Sequence, residues 1–248
     1  MSDPSAYPSD QKLYEGKAKI IYKTADPEVL ITYFKDDATA FNAQKKGQIA
    51  QKGAINCKVT AHLYRLLEQK GIATHLIQTT SEREMQVKRA DIVPLEVVVR
   101  NIAAGSLCKQ TGIPLGTQLA PSLVEFYYKN DDLGDPLLTR DRIAAMQLTA
   151  PDTLDALTEK AQTINTVLTD FFNRCNISLV DFKLEFGTDT HGNLLLADEI
   201  SPDTCRLWDK TETDEKKRVM DKDRFRQDLG NVAEGYQAVL DRILSQIG

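Results

Sequence analysis

Asp181, Lys183 and Glu185 alternate with Phe182, Leu184 and Phe186, so three charged side chains share one face of an apolar strand. The segment Ile177–Asp209 reads as two such strands joined by a short turn. With a two-residue loop at His191-Gly192, Glu185 is expected to fall directly opposite Asp198 on the returning strand. Directly opposed Cβ atoms lie roughly 4.5–5.5 Å apart, and like charges there repel. A hard cation with oxygen ligands removes that repulsion, and Mg²⁺ typically rests on one or two carboxylates plus substrate phosphates. An ion-pair ladder of Asp181 and Glu185 about Lys183 accounts for one strand but leaves Asp198 and Glu199 unpaired. Glu185 and Asp198 are therefore the expected metal ligands.

Two further constellations bear on phosphate. In Leu13-Tyr14-Glu15-Gly16-Lys17-Ala18-Lys19, a glycine precedes two lysines at alternate positions, which places both ammonium groups on one strand face beside a permissive backbone. Taken alone, a solvated edge strand explains this pattern as well. In the stretch from Val93 to Ser106, Arg100 ends a strongly apolar strand and Gly105-Ser106 opens the next helix. A guanidinium fork beside a helix start suits a phosphate monoester. The competing reading makes Ser106 a simple cap and pairs Arg100 with Glu96 or another acid. Arg206 follows the acidic hairpin, and Lys222 and Arg226 lie in a charged helix entry, all three able to face an anion.

The elements that must position these groups follow from periodicity. Strands are expected over 12–35, with a turn at Asp26-Pro27, then a polar loop, then a helix over about 51–70 that ends at Gly71. Residues 74–100 read as mostly strand, with Pro94 at a strand start or edge, and 123–129 as another strand. A long helix follows Pro151, a mobile charged loop occupies 211–218, and one helix runs from Arg224 to the end. The result is an α+β protein with a tail (1–11), a small β-rich domain (12–82) and a larger domain (83–248).

Composition excludes several classes. The 248 residues are 42% hydrophobic and carry a formal charge of −5, so no global field draws nucleic acid or an anionic membrane. No apolar run reaches transmembrane length, and MSDPSAYPSDQ is too polar for a signal peptide. Four widely spaced cysteines without a CxxC pair fit reduced thiols of a cytoplasmic protein, not zinc ligands. The three histidines have no Ser or Cys partner at a recognisable spacing. A homo-oligomer, a dimer by default, is expected.

These residues equip ATP-dependent chemistry on a small phosphorylated anion; a small-molecule kinase would need the same groups. LYEGKAK, VPLEVVVRNIAAGS, LVDFKLEFG, DEISPDTCRLWD and MDKDRFRQ, in this order, resemble the successive motifs of the SAICAR synthetase family. The resemblance runs from about Gln11 to the C-terminal helix. It implies a ligase of purine biosynthesis that joins L-aspartate to the carboxylate of carboxyaminoimidazole ribonucleotide (CAIR) while ATP becomes ADP and phosphate. It implies two layered domains with an ATP cleft between them, as in ATP-grasp and kinase-related folds, the small domain (12–82) binding nucleotide and the larger (83–248) carrying the metal and substrate sites. By motif, Lys17 and Lys19 lie over the ATP phosphates, Lys88 is near adenine, and Glu185 and Asp198 hold Mg²⁺. Arg100, Ser106 and Arg206 bind the ribonucleotide, with Lys222 and Arg226 as further candidates. Asp181 and Lys183 stand close to the reacting groups.

Overall fold

Alternating apolar residues in 12–34 build three strands, β1 (Lys12–Glu15), β2 (Lys19–Lys23) and β3 (Val29–Phe34), in a computed structural model that describes residues 9–40 and 44–246. Most of the expected tail lies outside the described residues, and Ser9–Gln11 forms a 3-10 turn. The polar loop expected next is instead a hairpin, β4 (Asp37–Ala40) and β5 (Lys45–Gln48). Helix α1 (Lys52–Gln69) follows, and left-handed Gly71 (φ 81°) ends it as a C′ glycine should. Its start presses on β3: a Cβ on Gly53 would lie 2.3 Å from the Phe34 carbonyl oxygen, so only glycine allows this approach.

Strands β6 (Leu76–Ser81) and β7 (Glu84–Lys88) complete an antiparallel sheet of order β1-β2-β3-β7-β6. The boundary expected at 82/83 falls in the turn between these two strands, and the first sheet continues to Lys88. The second sheet starts with β8 (Asp91–Ile102), followed by helix α2 (Ser106–Thr111), β9 (Gln118–Tyr128) and β10 (Leu137–Leu138). Pro94 lies inside β8, where the pairing register shifts between Glu96 and Ile92; the missing N–H is accommodated in that irregularity rather than at an edge.

Helix α3 (Arg140–Ala145) leads to α4 (Pro151–Arg174), which has Pro at its first turn as the helix start favours. Leu154, Leu157, Ala161, Ile164, Leu168, Phe171 and Phe172 form its buried face, at the spacing the sequence predicts. Truncating Leu157, fully buried, to alanine would cost about 2–5 kcal/mol. Strands β11 (Ile177–Thr188), β12 (Leu194–Ala197) and β13 (Cys205–Asp209) finish the sheet, in order β10-β9-β8-β11-β12 with β13 also on β11. Apolar side chains from both sheets and from α1 and α4 join one buried core. All pairings within these sheets are antiparallel, and the fold is α+β.

The C-terminal helix is two helices, α5 (Asp223–Arg226) and α6 (Val232–Leu244). Asp228, Gly230 and Asn231 take left-handed backbone between them (φ 54°, 71° and 47°), which no continuous helix permits. The charged run 211–218 is a tight turn rather than a loose loop. Asp214 accepts hydrogen bonds from the Lys216 and Lys217 amides, and the Arg218 guanidinium lies 3.9 Å from the Trp208 ring centre.

Candidate active site

Strand β11 is the spine of the site. On its neighbours' sides Asp181 is in register with Arg100 of β8 and Arg206 of β13, and Glu185 with Glu96 of β8 and Ala197 of β12. The expected Glu185–Asp198 register is therefore wrong by one residue. The hairpin loop is five residues, Asp189 to Asn193, because Asp189 Oδ1 accepts the His191 and Asn193 amides and Asp189 N–H donates to the Asn193 carbonyl. A regular strand would then send Asp198 to the opposite face. Asp198 has left-handed backbone (φ 62°), which removes it from strand geometry, and its carboxylate lines the same cleft as Glu185. The directly opposed like charges are Glu185 and Glu96.

Lysines hold this acidic end together. Lys183 Nζ lies 2.9 Å from Glu96, 2.7 Å from Glu185 and 3.8 Å from Asp198. Lys19 bonds Asp198 and lies 2.7 Å from Glu199, and Lys129 pairs with Glu185. Burial acts to lower the Lys19 and Lys183 pKa values, but the carboxylates win and hold both ammonium groups charged well above their ordinary range. Burial likewise opposes ionisation of Asp198, yet Lys19 and Lys183 pull its pKa below the usual carboxylate range. Lys17, mostly exposed, reaches Asp131 at 2.6 Å. Among the described residues no group of three or more His, Cys, Asp or Glu is disposed to hold a metal by itself.

Four residues further back along β11, about 13 Å by strand rise, the charges invert. Arg100, 3% exposed, donates to Glu125 (2.7 Å), Asp181 (3.0 Å), Ser106 Oγ (3.1 Å) and Tyr127 Oη (3.0 Å). Arg206 donates from Nη1 to Asp181 and from Nε to Asp223, both at 2.7 Å, and Arg226 donates to Asp223 at 2.6 Å. Arg100 does not pair with Glu96 but with two other acids, Glu125 and Asp181, as the competing reading also allows. Gly105 explains the Gly-Ser pair: a Cβ there would sit 2.5 Å from Arg206 Nη2, and its φ is 57°. Both arginines are held charged: burial opposes this, and hydrogen-bonded carboxylates overcome it.

Beside this cradle, Asp203 binds buried Lys52 (2.7 Å) and Tyr236 Oη (2.6 Å), with Lys222 at 3.8 Å. Burial, helped by Arg226 and Lys52, lowers the Lys222 pKa despite Asp203. At the other extreme Lys88, exposed, borders an apolar stretch that includes Ile21, Leu30, Val87 and Ala90. All twelve expected site residues except Ser106 line one cleft of about 740 Å³, and Ser106 is bonded to Arg100, which does.

Sequence reasoning missed Lys52, Lys129 and Asp203 and left the partner of Glu96 open; it is Lys183. Lys52 did leave a signal, because a lysine in the first turn opposes the helix dipole and needs a carboxylate elsewhere. Lys129 left none: its partner is 56 positions away in sequence.

A cleft with a lysine-bearing glycine loop, an acid pair and an arginine cradle defines an ATP-dependent enzyme acting on a phosphorylated anion. The family model for SAICAR synthetase matches residues 12–243. The chain is 63% identical over 237 residues to a phosphoribosylaminoimidazole-succinocarboxamide synthase of Picosynechococcus, covering 96% of this chain and 95% of that one. To the Nostoc punctiforme enzyme of the same name it is 61% identical over 238 residues (96% and 97%). The crystal structure of the Ehrlichia chaffeensis synthase superposes with TM-score 0.89 at 45% identity (94% and 98%). A SAICAR synthetase in complex with ADP gives 0.88 at 44% (93% and 96%). The chain belongs to the SAICAR synthetase family. It is an ATP-dependent ligase of purine biosynthesis, forming the amide between CAIR and L-aspartate, and the kinase alternative is not favoured.

Proposed function

We propose that β11 sets out the reactants along one line, with CAIR at Asp181 and the metal-bound phosphates of ATP at Glu185. The supporting observation is the reversal of charge between the Arg100–Asp181–Arg206 register and the Glu96–Glu185 register. In this reading the first sheet, which ends at Lys88, forms the nucleotide-binding part, and the residues after it carry the metal and substrate sites. Lys17 and Lys19 cover the phosphates, and Lys88 with its apolar neighbours takes adenine; the relative solved with ADP supports nucleotide use. Arg100, Ser106 and Arg206 bind the ribonucleotide, with Lys222 and Arg226 completing the anion cradle.

The residues fit Mg²⁺. Glu185 and Asp198 offer hard oxygen donors, and Lys183 already places one cation between them. Bound there, Mg²⁺ would neutralise charge on the transferring phosphoryl group. The CAIR carboxylate attacks the γ-phosphorus, ADP leaves, and an acyl phosphate results. Lys19 and Lys183, held charged, stabilise the negative charge that builds on the phosphoryl oxygens. The neutral amine of aspartate then attacks the acyl carbon and expels phosphate. Both guanidiniums contact Oδ2 of Asp181, so Oδ1 is the oxygen assigned to take the amine proton.

Among the described residues no helix is long and apolar enough to cross a membrane; in this reading the enzyme works on small molecules in the cytoplasm as a homodimer. ADP release from ATP plus CAIR, measured with and without L-aspartate, tests the assignment. Turnover is expected only with all three; turnover independent of aspartate would overturn it.

A further inference from the structure

Two carboxylates two residues apart sit behind the arginine cradle, and only one of them touches an arginine side chain in it. Asp223 does: its Oδ2 accepts from Arg206 Nε at 2.7 Å and its Oδ1 from Arg226 Nη1 at 2.6 Å. Asp221 is fully buried (0% exposed) and binds main chain instead. Its Oδ2 accepts the Leu207 amide of β13 at 2.7 Å, and its Oδ1 accepts the Asp223 amide of α5 at 2.8 Å. Its own carbonyl accepts the Arg224 amide at 3.0 Å.

We infer that Asp221 is a positioning residue for CAIR binding: it clamps β13 to α5 so that Asp223 can hold Arg206 and Arg226 in the cleft. Each bond of the clamp lands beside what it positions. Leu207 follows Arg206 in the chain, and the other amide belongs to Asp223 itself. Two N–H donors from separate elements need two acceptor oxygens, which a carboxylate has and an amide side chain lacks. Stability gives no reason for this residue. Burial first, and then the Asp223 carboxylate, push Asp221 up to about 7, so its ionised form is disfavoured in the folded protein. A buried group kept at such a cost is explained by the geometry it imposes.

The inference rests on the assignment of Arg206 and Arg226 to the ribonucleotide, and the experiment separates the two. KM for CAIR, KM for ATP and kcat are measured on the full-length enzyme for Asp221→Asn, Asp221→Ser, Arg206→Lys and the double variant Asp221→Asn/Arg206→Lys. Cooperative melting establishes that each is folded, and the serine variant serves if the asparagine variant is not. Asp221→Asn is expected to raise KM for CAIR roughly tenfold while KM for ATP stays within about twofold. In the Arg206→Lys background it should add less than in the wild type, since part of its effect runs through that arginine and the rest through Arg226. If Arg206→Lys raises KM for CAIR and the folded Asp221 variants do not, the positioning role is overturned and the cradle stands. If Arg206→Lys also leaves KM for CAIR unchanged, the cradle assignment itself falls. A purely structural Asp221 would lower the melting temperature and leave the ratio of the two KM values alone.

Discussion

The two ends of the cleft hold similar numbers of charged groups in opposite ways. At the acidic end, carboxylates are tied by lysines, single point charges on flexible stems, and Lys129 and Lys17 are each more than 40% exposed. At the cradle the charges are arginines with planar forks: Arg100 binds four groups, Arg206 two carboxylates and Arg226 one. Lysine pairs exchange readily for a metal and phosphates. Arginine forks with satisfied donors are preorganised and give up little entropy on binding. On the proposed assignment, one end is rearranged by its ligand and the other waits for it.

The sharpest way to break this contrast is at Glu185 and Asp198, the carboxylates proposed to hold the metal. Glu185→Gln or Asp198→Asn should lower kcat roughly 10²–10³-fold in single-turnover assays with saturating Mg²⁺ and leave the melting temperature near wild type. Near-normal activity in both would refute the metal assignment.

Acidity should act on the two ends with opposite sign. His75 lies at the acidic end, in line with Lys19 and Asp198, and burial lowers its pKa to about 4. Between about 6.5 and 4 the unfolded chain binds the proton that folded His75 refuses, so stability is lost as pH falls, by roughly 3 kcal/mol. Asp221, pushed up to about 7, binds its proton in the folded state first, so its contribution is lost as pH rises from about 4 to 7. Urea denaturation across this range should show a shallower acid loss in His75→Gln and a shallower loss toward neutrality in Asp221→Asn. The same slope in either variant as in wild type would remove that group from the account.

A smaller effect is expected at Gly105. The Cβ of Gly105→Ala collides with Arg206, so KM for CAIR should rise tens of fold while KM for ATP does not. Equal changes in both would mean the cradle and the nucleotide end are one rigid unit. Smallest of all is the exposed Lys17–Asp131 pair: Asp131→Asn should change stability by less than about 1 kcal/mol, read by the same denaturation.

Most of the layout was legible in short-range patterns. The alternation along β11, the α4 face and the Gly71 stop each depend on residues within a few positions. Register was not, because it turned on one side chain: Asp189 caps a five-residue loop that looks like a two-residue turn when His191-Gly192 is read alone. The like-charge reasoning survived with a different partner, Glu96, whose approach to Glu185 is fixed by β8 pairing nearly ninety positions upstream. The break between α5 and α6 was written in Asp228, Gly230 and Asn231, but the apolar spacing ran through it without interruption.

Asp203 joins parts of the chain made at very different times. Its carboxylate is held by Lys52, at the start of α1, and by Tyr236, in the last helix. A ribosome that has made the acidic hairpin has therefore not yet made the residue that seats the loop after it. Nascent chains stay without a finished cleft until α6 has emerged and docked. Ligase activity then begins only after α6 has docked, and loss of that helix should disable the active site before it unfolds the sheets.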